Sequence, residues 1–338
     1  MRRLLSAVVV WTAAMSTLAH AGPGPVTTDH HMHVHSPAIL EMLPAYCASP
    51  YRKQPCDARF VQPLATADAL AALDAAGIRR GWLLSTGYLA ESALMGPVPA
   101  DAPQRVHAAN AFTVGEARAH PDRLTAFIGV NPLTDTALSE IAAWRRDPAA
   151  AGIKLHLTNS GVDLRSPADI ARLKAVFRAA SKARFAIMIH MRTGAADYGR
   201  ADAETFIREV LPEARGVPVV IAHSAGWGGI DPQTLGALGA FADAVERNPR
   251  LARNLWFDLA QVYRPETSAA DRAAFSLLLK RIGASRFLAA SDWPFAGDLR
   301  GYYAALGAEP SLDPAAQAAI SAASVPLPRG GRSARPTR

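Results

Sequence analysis

The sequence predicts a single-domain α/β protein, a (β/α)8 TIM barrel with long loops after strands 1 and 2. Three observations predict this fold: eight short apolar runs resemble β-strands, helical patterns separate them, and 338 residues is a usual length for one barrel. Near-continuous apolar strands are typical of parallel sheets that are buried on both faces. The alternative, a doubly wound open sheet, lacks a nucleotide-binding Gly-x-Gly-x-x-Gly or P-loop motif in this sequence.

The eight predicted strands are 26–34, 80–86, 124–131, 152–157, 185–191, 217–224, 254–260 and 286–292. Three helices between them are predicted most clearly. The helix at 66–77 has Thr66 as a candidate N-cap and ends in Gly, 166–183 begins with Ser-Pro, and 269–283 ends in Lys, Arg and Gly. The long connections 35–65 and 85–103 leave the carboxyl ends of strands 1 and 2, where barrels of this kind build their active sites.

Both ends of the chain differ in composition from its body. Residues 1–21 combine a basic head, a short apolar run and an Ala19-x-Ala21 pattern, which predicts a cleaved signal peptide. The alternative is an uncleaved membrane anchor. The barrel domain is predicted over 22–324, and 325–338 is predicted to be a flexible basic tail. We therefore expect an exported protein, periplasmic or secreted, that does not contact the membrane after signal cleavage.

The formal net charge of +7 does not indicate a nucleic-acid-binding protein. Much of this charge comes from arginines in the two end segments (Arg2, Arg3, Arg329, Arg332, Arg335 and Arg338), and the body of the chain is close to neutral. The body also lacks a basic stripe with interleaved aromatic residues. The expected partner is a small-molecule substrate, and the sequence leaves a homo-oligomer open.

The two cysteines, Cys47 and Cys56, enclose the short segment CASPYRKQPC. In an exported chain they are candidates for a disulfide, because such bonds persist in oxidising compartments. Two free thiols are the alternative. A two-cysteine metal site is disfavoured, because their spacing fits no zinc pattern.

Polar residues that can carry chemistry stand at the carboxyl ends of the predicted strands. In the stretch TTDHHMHVHS, strand alternation places Asp29, His31 and His33 on one face and His30 on the other. His190, His223 and Asp292 follow on strands 5, 6 and 8. Three imidazoles and a carboxylate (His31, His33, His190 and Asp292) are ligands that zinc and similar ions bind. His223 is placed to move protons.

This pattern resembles the amidohydrolase superfamily, in the motifs DHHMH (29–33), IMIHM (187–191), VIAHSAG (220–226) and AASDWPF (289–295). The resemblance extends over about residues 26–320 and is strongest to the amidohydrolase 2 subgroup, which includes aminocarboxymuconate-semialdehyde decarboxylase-like and lactonase-like enzymes. It implies that His31, His33, His190 and Asp292 bind the metal. It also implies that His223 acts on water or substrate and that Asp292 accepts a proton in hydrolytic members.

Three further residues have less specific assignments. The resemblance implies that Lys154, once carboxylated, could bridge a second metal ion, although one zinc ion is favoured and a salt-bridged lysine is an alternative. His156 and Arg192 are candidates for contact with an acidic substrate group, and Arg192 could instead be a structural clamp. The function expected first is an exported metal-dependent hydrolase acting on an amide, ester or lactone. A metal-dependent decarboxylase is the alternative, and a non-catalytic metal-binding protein is a third reading.

Overall fold

The computed structural model describes residues 24–52 and 55–328, and these form a (β/α)8 TIM barrel, as the sequence predicts. Eight parallel strands follow one another around the sheet in chain order. The strands are β1 (Thr28–Met32), β2 (Arg80–Leu84), β3 (Leu124–Gly129), β4 (Ala150–His156), β5 (Ala186–His190), β6 (Val219–Ile221), β7 (Leu255–Asp258) and β8 (Phe287–Leu288). Each predicted run overlaps one observed strand, and β4 begins two residues before its predicted start at 152.

The barrel is nearly closed between its last and first strands. β8 pairs with β7 over only two residues, although the sequence predicts a strand over 286–292. The next residues run beside β1 through single hydrogen bonds, from His30 N to Ala289 O at 3.1 Å and from Asp292 N to His31 O at 2.8 Å. Met32 and Trp293 form an isolated bridge there. This junction brings Asp292 beside the histidines of β1.

Helices follow the strands, and most of them cover the outside of the sheet. They are α1 (Pro37–Ala48), α2 (Thr66–Ala76), α3 (Ala102–Ala119), α4 (Thr136–Trp144), α5 (Leu157–Ser160), α6 (Pro167–Ala183), α7 (Arg200–Thr205), α8 (Pro232–Arg247), α9 (Ala269–Ile282), α10 (Leu299–Gly307) and α11 (Pro314–Ala322). Ser166 caps α6 as predicted, by accepting from Asp169 N. The predicted cap of α2 is wrong by one residue: Thr66 is inside the helix, and the Ala65 amide donates to the Asp68 carboxylate at 2.7 Å.

Two apolar layers stabilise the barrel. One lies between the sheet and the helices, and the other fills the barrel interior around Trp82, Phe127, Met188 and Trp256. Val325 and Leu327 pack against the interior cluster, so the chain stays on the barrel for some residues past the predicted tail boundary at 325. Residues 329–338 lie outside the described residues, and the rest of the predicted tail stays a prediction.

The connection after β1 is partly helical. α1 occupies 37–48 within the predicted loop 35–65, because Ser36 caps it and Pro37 suits its first turn. A disulfide joins Cys47, in the last turn of α1, to Cys56. The connection after β2 contains two short 3₁₀ turns, Gly87–Glu91 and Ala93–Met95. Both connections lie over the carboxyl ends of the strands.

The predicted signal peptide, 1–21, lies outside the described residues. Within the part of the chain that the structure describes, no helix combines the length and the apolar character needed to cross a bilayer.

The Cys47–Cys56 disulfide gives a first prediction, about stability. Replacing both cysteines with serine is expected to lower the free energy of unfolding by about 3 kcal/mol or less, because the bond restricts only a short loop in the unfolded chain. Urea unfolding of the wild type and the double variant measures this, each with and without reductant. Reductant should destabilise the wild type alone. Two reactive thiols in the denatured, unreduced wild type would show that the bond does not form.

Candidate functional site

The strand β1 carries a register shift between Asp29 and Met32, and this shift orients its histidines. The strict alternation expected from the sequence is therefore wrong for His30. Its ring lies edge-to-face against Trp82 in the barrel interior, with ring centroids 4.8 Å apart. Met32 packs in the outer layer, whereas His31 and His33 line a pocket at the carboxyl ends of the strands. The bulge thus lets consecutive histidines both point inward.

His31, His33 and Asp292 form the centre of the site. Nε2 of His31 lies 3.1 Å from Nε2 of His33, and Oδ1 of Asp292 lies 3.4 Å from both nitrogens. All three side chains are buried or nearly so. Burial acts to raise the pKa of Asp292, but the adjacent imidazoles of His31 and His33 outweigh this effect and hold it below its ordinary value. Asp292 is therefore a carboxylate at neutral pH.

The hydrogen bonds of the two histidines fit a metal ion between them. Nδ1 of His31 donates to the Asp258 carboxylate at 2.8 Å, and Nδ1 of His33 donates to the Leu84 carbonyl at 2.8 Å. Because each Nδ1 carries the hydrogen, the two facing Nε2 atoms present lone pairs to each other. Burial holds the pKa of His31 well below its ordinary value, which keeps it in the neutral form that binds metals. A divalent cation can satisfy both lone pairs and the adjacent carboxylate.

His190 lies beside this centre without being part of its tightest cluster. Within the described residues, the groups whose ligand atoms lie within 4.8 Å of one another are His31, His33 and Asp292, and His31, His223 and Asp258. The ring of His190 lies 5.1 Å from that of His223. Its Nδ1 is buried and has no hydrogen-bond partner among the described residues. An orphaned ring nitrogen at this place fits the predicted fourth ligand, although its role stays a prediction.

Asp258, at the end of β7, connects two of the predicted functional residues. Its Oδ2 accepts from His31, and its Oδ1 accepts from the backbone amide of His223 at 2.7 Å. His223 has φ near +50°, a strained conformation for a non-glycine residue. Nδ1 of His223 donates to the Ala260 carbonyl at 2.8 Å, which leaves Nε2 as its free nitrogen in the pocket. A carboxylate in a wholly buried strand predicts a hydrogen-bonding residue of the barrel, and the contacts of Asp258 agree with that prediction.

Asp258→Asn is expected to weaken metal binding by about 10- to 100-fold, the usual cost of losing a partner that orients a histidine ligand. An amide no longer enforces a hydrogen on Nδ1 of His31, so the lone pair on Nε2 is less available. Competition with a chelator measures the metal Kd. Glu140→Gln is the matched control. Glu140, on α4, is also a buried carboxylate that accepts a hydrogen bond from a histidine, His107 on α3, at 2.8 Å. Equal metal affinities in wild type and Asp258→Asn would contradict this role.

Lys154, on β4, lies at the floor of the same site. Its Nζ donates to Nε2 of His31 at 3.0 Å, and burial lowers the pKa of Lys154 to about 8, against the opposing effect of Asp258 and Asp292. A neutral amine fraction is therefore available near neutral pH. This environment agrees with both roles considered for Lys154, a partner of the metal ligands and a bridge to a second ion.

The site opens into a cavity of about 290 Å³. Aromatic side chains supply much of its wall, among them Tyr46, Phe60, Tyr88, Trp227 and Phe295. His156 is also in the wall, where its ring stacks on that of His190 at 4.0 Å. The prediction that His156 faces the substrate is compatible with this placement. Arg52 and Arg264 line the cavity as well.

Arg192 does not take the substrate-contacting position that was considered for it. Its guanidinium pairs with Asp231 at 2.6 Å, and Arg192 is not among the residues that line the cavity. The physical reason is the partner at the N-cap of α8, which draws the side chain away from the pocket. The structural-clamp alternative describes Arg192, and Arg52 and Arg264 are the cationic residues that face the cavity.

Solved structures share the fold at low sequence identity. A 5-carboxyvanillate decarboxylase from Sphingomonas paucimobilis superposes with a TM-score of 0.60 and 15% identity, covering 88% of this chain and 97% of its own. A 5-carboxyvanillate decarboxylase from Novosphingobium aromaticivorans, with bound manganese and 3-methoxy-4-hydroxy-5-nitrobenzoic acid, gives 0.58 and 15%, covering 88% and 94%. A 2,6-dihydroxybenzoate decarboxylase from Rhizobium gives 0.57 and 15%, covering 88% and 96%. At this identity the likeness establishes the fold.

The sequence itself identifies the family. No curated protein matches the chain in sequence. The family model described as Amidohydrolase matches residues 26–322, a range that contains all eight strands and every residue of the site. The arrangement of histidines and aspartate at the carboxyl ends of the strands agrees with this match, and the chain belongs to the amidohydrolase family.

Proposed function

We propose that the protein is a metal-dependent decarboxylase that removes CO2 from a planar, carboxylate-bearing substrate. The observation that carries this proposal is the combination of a metal-binding cluster with a cavity that has aromatic walls and two arginines, Arg52 and Arg264. A neutral amide or lactone has no group that needs a guanidinium, whereas a carboxylate pairs with it well. The decarboxylases among the similar structures support the same choice.

The roles of the chain's residues follow from the geometry of the site. His31, His33, His190 and Asp292 would hold the ion, and three imidazoles with one carboxylate favour a single zinc. When bound, the metal supplies a Lewis acid that fixes and polarises the substrate's oxygen atoms. As the carbon–carbon bond breaks, its electron pair stays on the substrate carbon, CO2 leaves, and that carbon takes a proton. His223, with Nε2 free, is the residue we assign to that proton transfer.

A test of this function separates it from hydrolysis. Metal-loaded protein is given 2,6-dihydroxybenzoate, 5-carboxyvanillate and related carboxylates in D2O, in parallel with a panel of lactones, esters and amides. Decarboxylation releases CO2 and places one deuterium on the carbon that lost the carboxylate. The variant His31→Ala is the negative control.

Hydrolysis is the second candidate, and it was the function expected first from the sequence. It is favoured by Asp292, a carboxylate at neutral pH beside both β1 histidines, which could accept a proton from an attacking water. Release of acid from a lactone, ester or amide, without CO2 from any carboxylate, would replace the decarboxylase proposal with this one.

We also propose that the protein is exported. The proposal rests on the composition of residues 1–21, and the Cys47–Cys56 disulfide is consistent with an oxidising compartment. Cell fractionation and N-terminal sequencing of the mature protein test it. A mature chain that retains residues 1–21 in the cytoplasm would contradict it.

A further inference from the structure

Arg264 is a cationic residue of the cavity wall. It follows β7 and lines the cavity together with Gln261 and Trp227. Among the described residues no carboxylate forms an ion pair with Arg264, and its Nε is buried without a hydrogen-bond partner. Nearby arginines are paired: Arg272 binds Glu309 and Arg192 binds Asp231. Arg264 thus has a buried Nε donor that no described residue uses, at the wall of the substrate cavity.

The backbone around Arg264 is built to hold the side chain there. Gly228 and Gly229 have φ of +93° and +78° and lie against the guanidinium. A Cβ at Gly228 would lie 2.7 Å from Nη2 of Arg264, so a larger residue would displace the group from the wall. The two glycines therefore make room for the arginine side chain as well as for their own turn.

The loop that carries Arg264 is fixed by its own hydrogen bonds. The amide of Arg264 donates to Val262 O at 3.1 Å, and Gly229 N donates to Gln261 O at 2.6 Å. The guanidinium of Arg272 donates to the Arg264 carbonyl. Because this backbone is already ordered, a ligand that binds Arg264 loses little free energy in arranging it.

We propose that Arg264 binds a second anionic group of the substrate, separate from the carboxylate that reacts at the metal cluster, so that the preferred substrate is a planar dicarboxylate. A half-buried guanidinium with no carboxylate partner among the described residues is stabilised by an anionic ligand, and a carboxylate matches its fork of donors. The group bound by Arg264 remains on the product. This inference rests on the proposed function, since it extends the decarboxylase cavity to a second acidic substituent.

Calorimetric binding to the metal-loaded protein tests the proposal without any turnover. Isophthalate is compared with its mono-amide, 3-carbamoylbenzoate, and terephthalate with its mono-amide, because each pair differs in one charge at nearly constant shape. We expect the wild type to bind one dicarboxylate about 10- to 100-fold more tightly than its mono-amide, as for a hydrogen bond between charged groups. Arg264→Gln should lose this preference and bind the mono-amide as the wild type does. Arg264→Lys should recover part of it.

The controls separate Arg264 from general effects of charge and folding. Arg192→Gln removes an arginine that is paired outside the cavity, and it should keep the preference. Metal content and the thermal unfolding midpoint are measured for every variant, so that a misfolded protein is recognised. If Arg264→Gln is misfolded, Arg264→Lys is compared with the wild type in its place.

Two results would overturn the inference. One is a wild type with no preference for the dicarboxylate in either geometry, and the other is a preference that survives in Arg264→Gln or depends on Arg52 instead. Failure of the proposed function gives a different result: the protein releases no CO2 from any carboxylate, whether or not its preference for the dicarboxylate depends on Arg264.

Discussion

His33→Ala is expected to abolish metal binding and turnover together, with a loss of activity beyond about 100-fold, which is more than the removal of a supporting hydrogen-bond partner costs. Nε2 of His33 faces Nε2 of His31 at 3.1 Å and lies 3.4 Å from Asp292. Alanine therefore removes a ligand atom that belongs to the tightest cluster of the site. Metal analysis after dialysis and the initial rate on the best substrate are the two measurements.

His35→Ala is the matched control for this variant, because it lies in the same stretch and is equally buried. Its Nδ1 accepts from Thr86 and its Nε2 donates to the Phe60 carbonyl, so both ring nitrogens are used away from the cluster. It should keep its metal. If His33→Ala and His35→Ala both retain a full equivalent of metal, the assignment of His33 to the metal-binding cluster is wrong.

His190→Ala extends the same experiment to the fourth predicted ligand. Because its Nδ1 is buried and no described residue bonds to it, we expect this variant also to lose the metal. A variant that keeps its metal would limit the cluster to the three residues that lie together in the structure.

His223→Gln is expected to lower kcat by about 10²- to 10⁴-fold while the metal stays bound, which is the usual cost of removing a proton-transfer group. The reason is that Nε2 of His223 is left free in the pocket, whereas its Nδ1 is committed to the Ala260 carbonyl. Rates at saturating substrate and metal content measured on the same preparation test the two parts of this expectation.

Ser224→Ala provides the comparison for His223→Gln. The hydroxyl of Ser224 donates to the Asp258 backbone carbonyl at 2.8 Å, and the residue does not line the cavity. It should therefore leave kcat within a few-fold of the wild type. Loss of metal from His223→Gln would assign His223 to the metal site instead of to proton transfer.

The fold could be predicted from the sequence because parallel strands that are buried on both faces are continuous apolar runs. Strand ends were harder to predict: β8 forms ladder pairs only at Phe287–Leu288, since the chain then leaves β7 and runs beside β1. Such an ending depends on neighbouring strands, which local composition does not describe. The helix α1 was missed for a different reason, because Ser36-Pro37 was read as part of a loop.

Part of the candidate site could likewise be predicted from the sequence, and part of it depends on tertiary contacts. His31, His33 and Asp292 stand at strand ends, and barrel geometry brings such positions together. The direction of His30 was mispredicted because a bulge breaks the period of two, and the sequence carries no mark of that bulge. The sequence does not predict that Arg192 pairs with Asp231, or that Arg264 forms no ion pair with any described carboxylate, because both depend on tertiary contacts.

The carboxylate of Asp258 has a consequence for how the site can change during evolution. One oxygen fixes the tautomer of His31 and the other fixes the backbone of His223, so a single substitution at 258 alters a metal ligand and a proton-transfer group together. Effects of changes at 31, 223 and 258 should therefore be strongly non-additive. New activities on this scaffold would be reached more readily through the connections 35–65 and 85–103, which can vary without disturbing that three-residue unit.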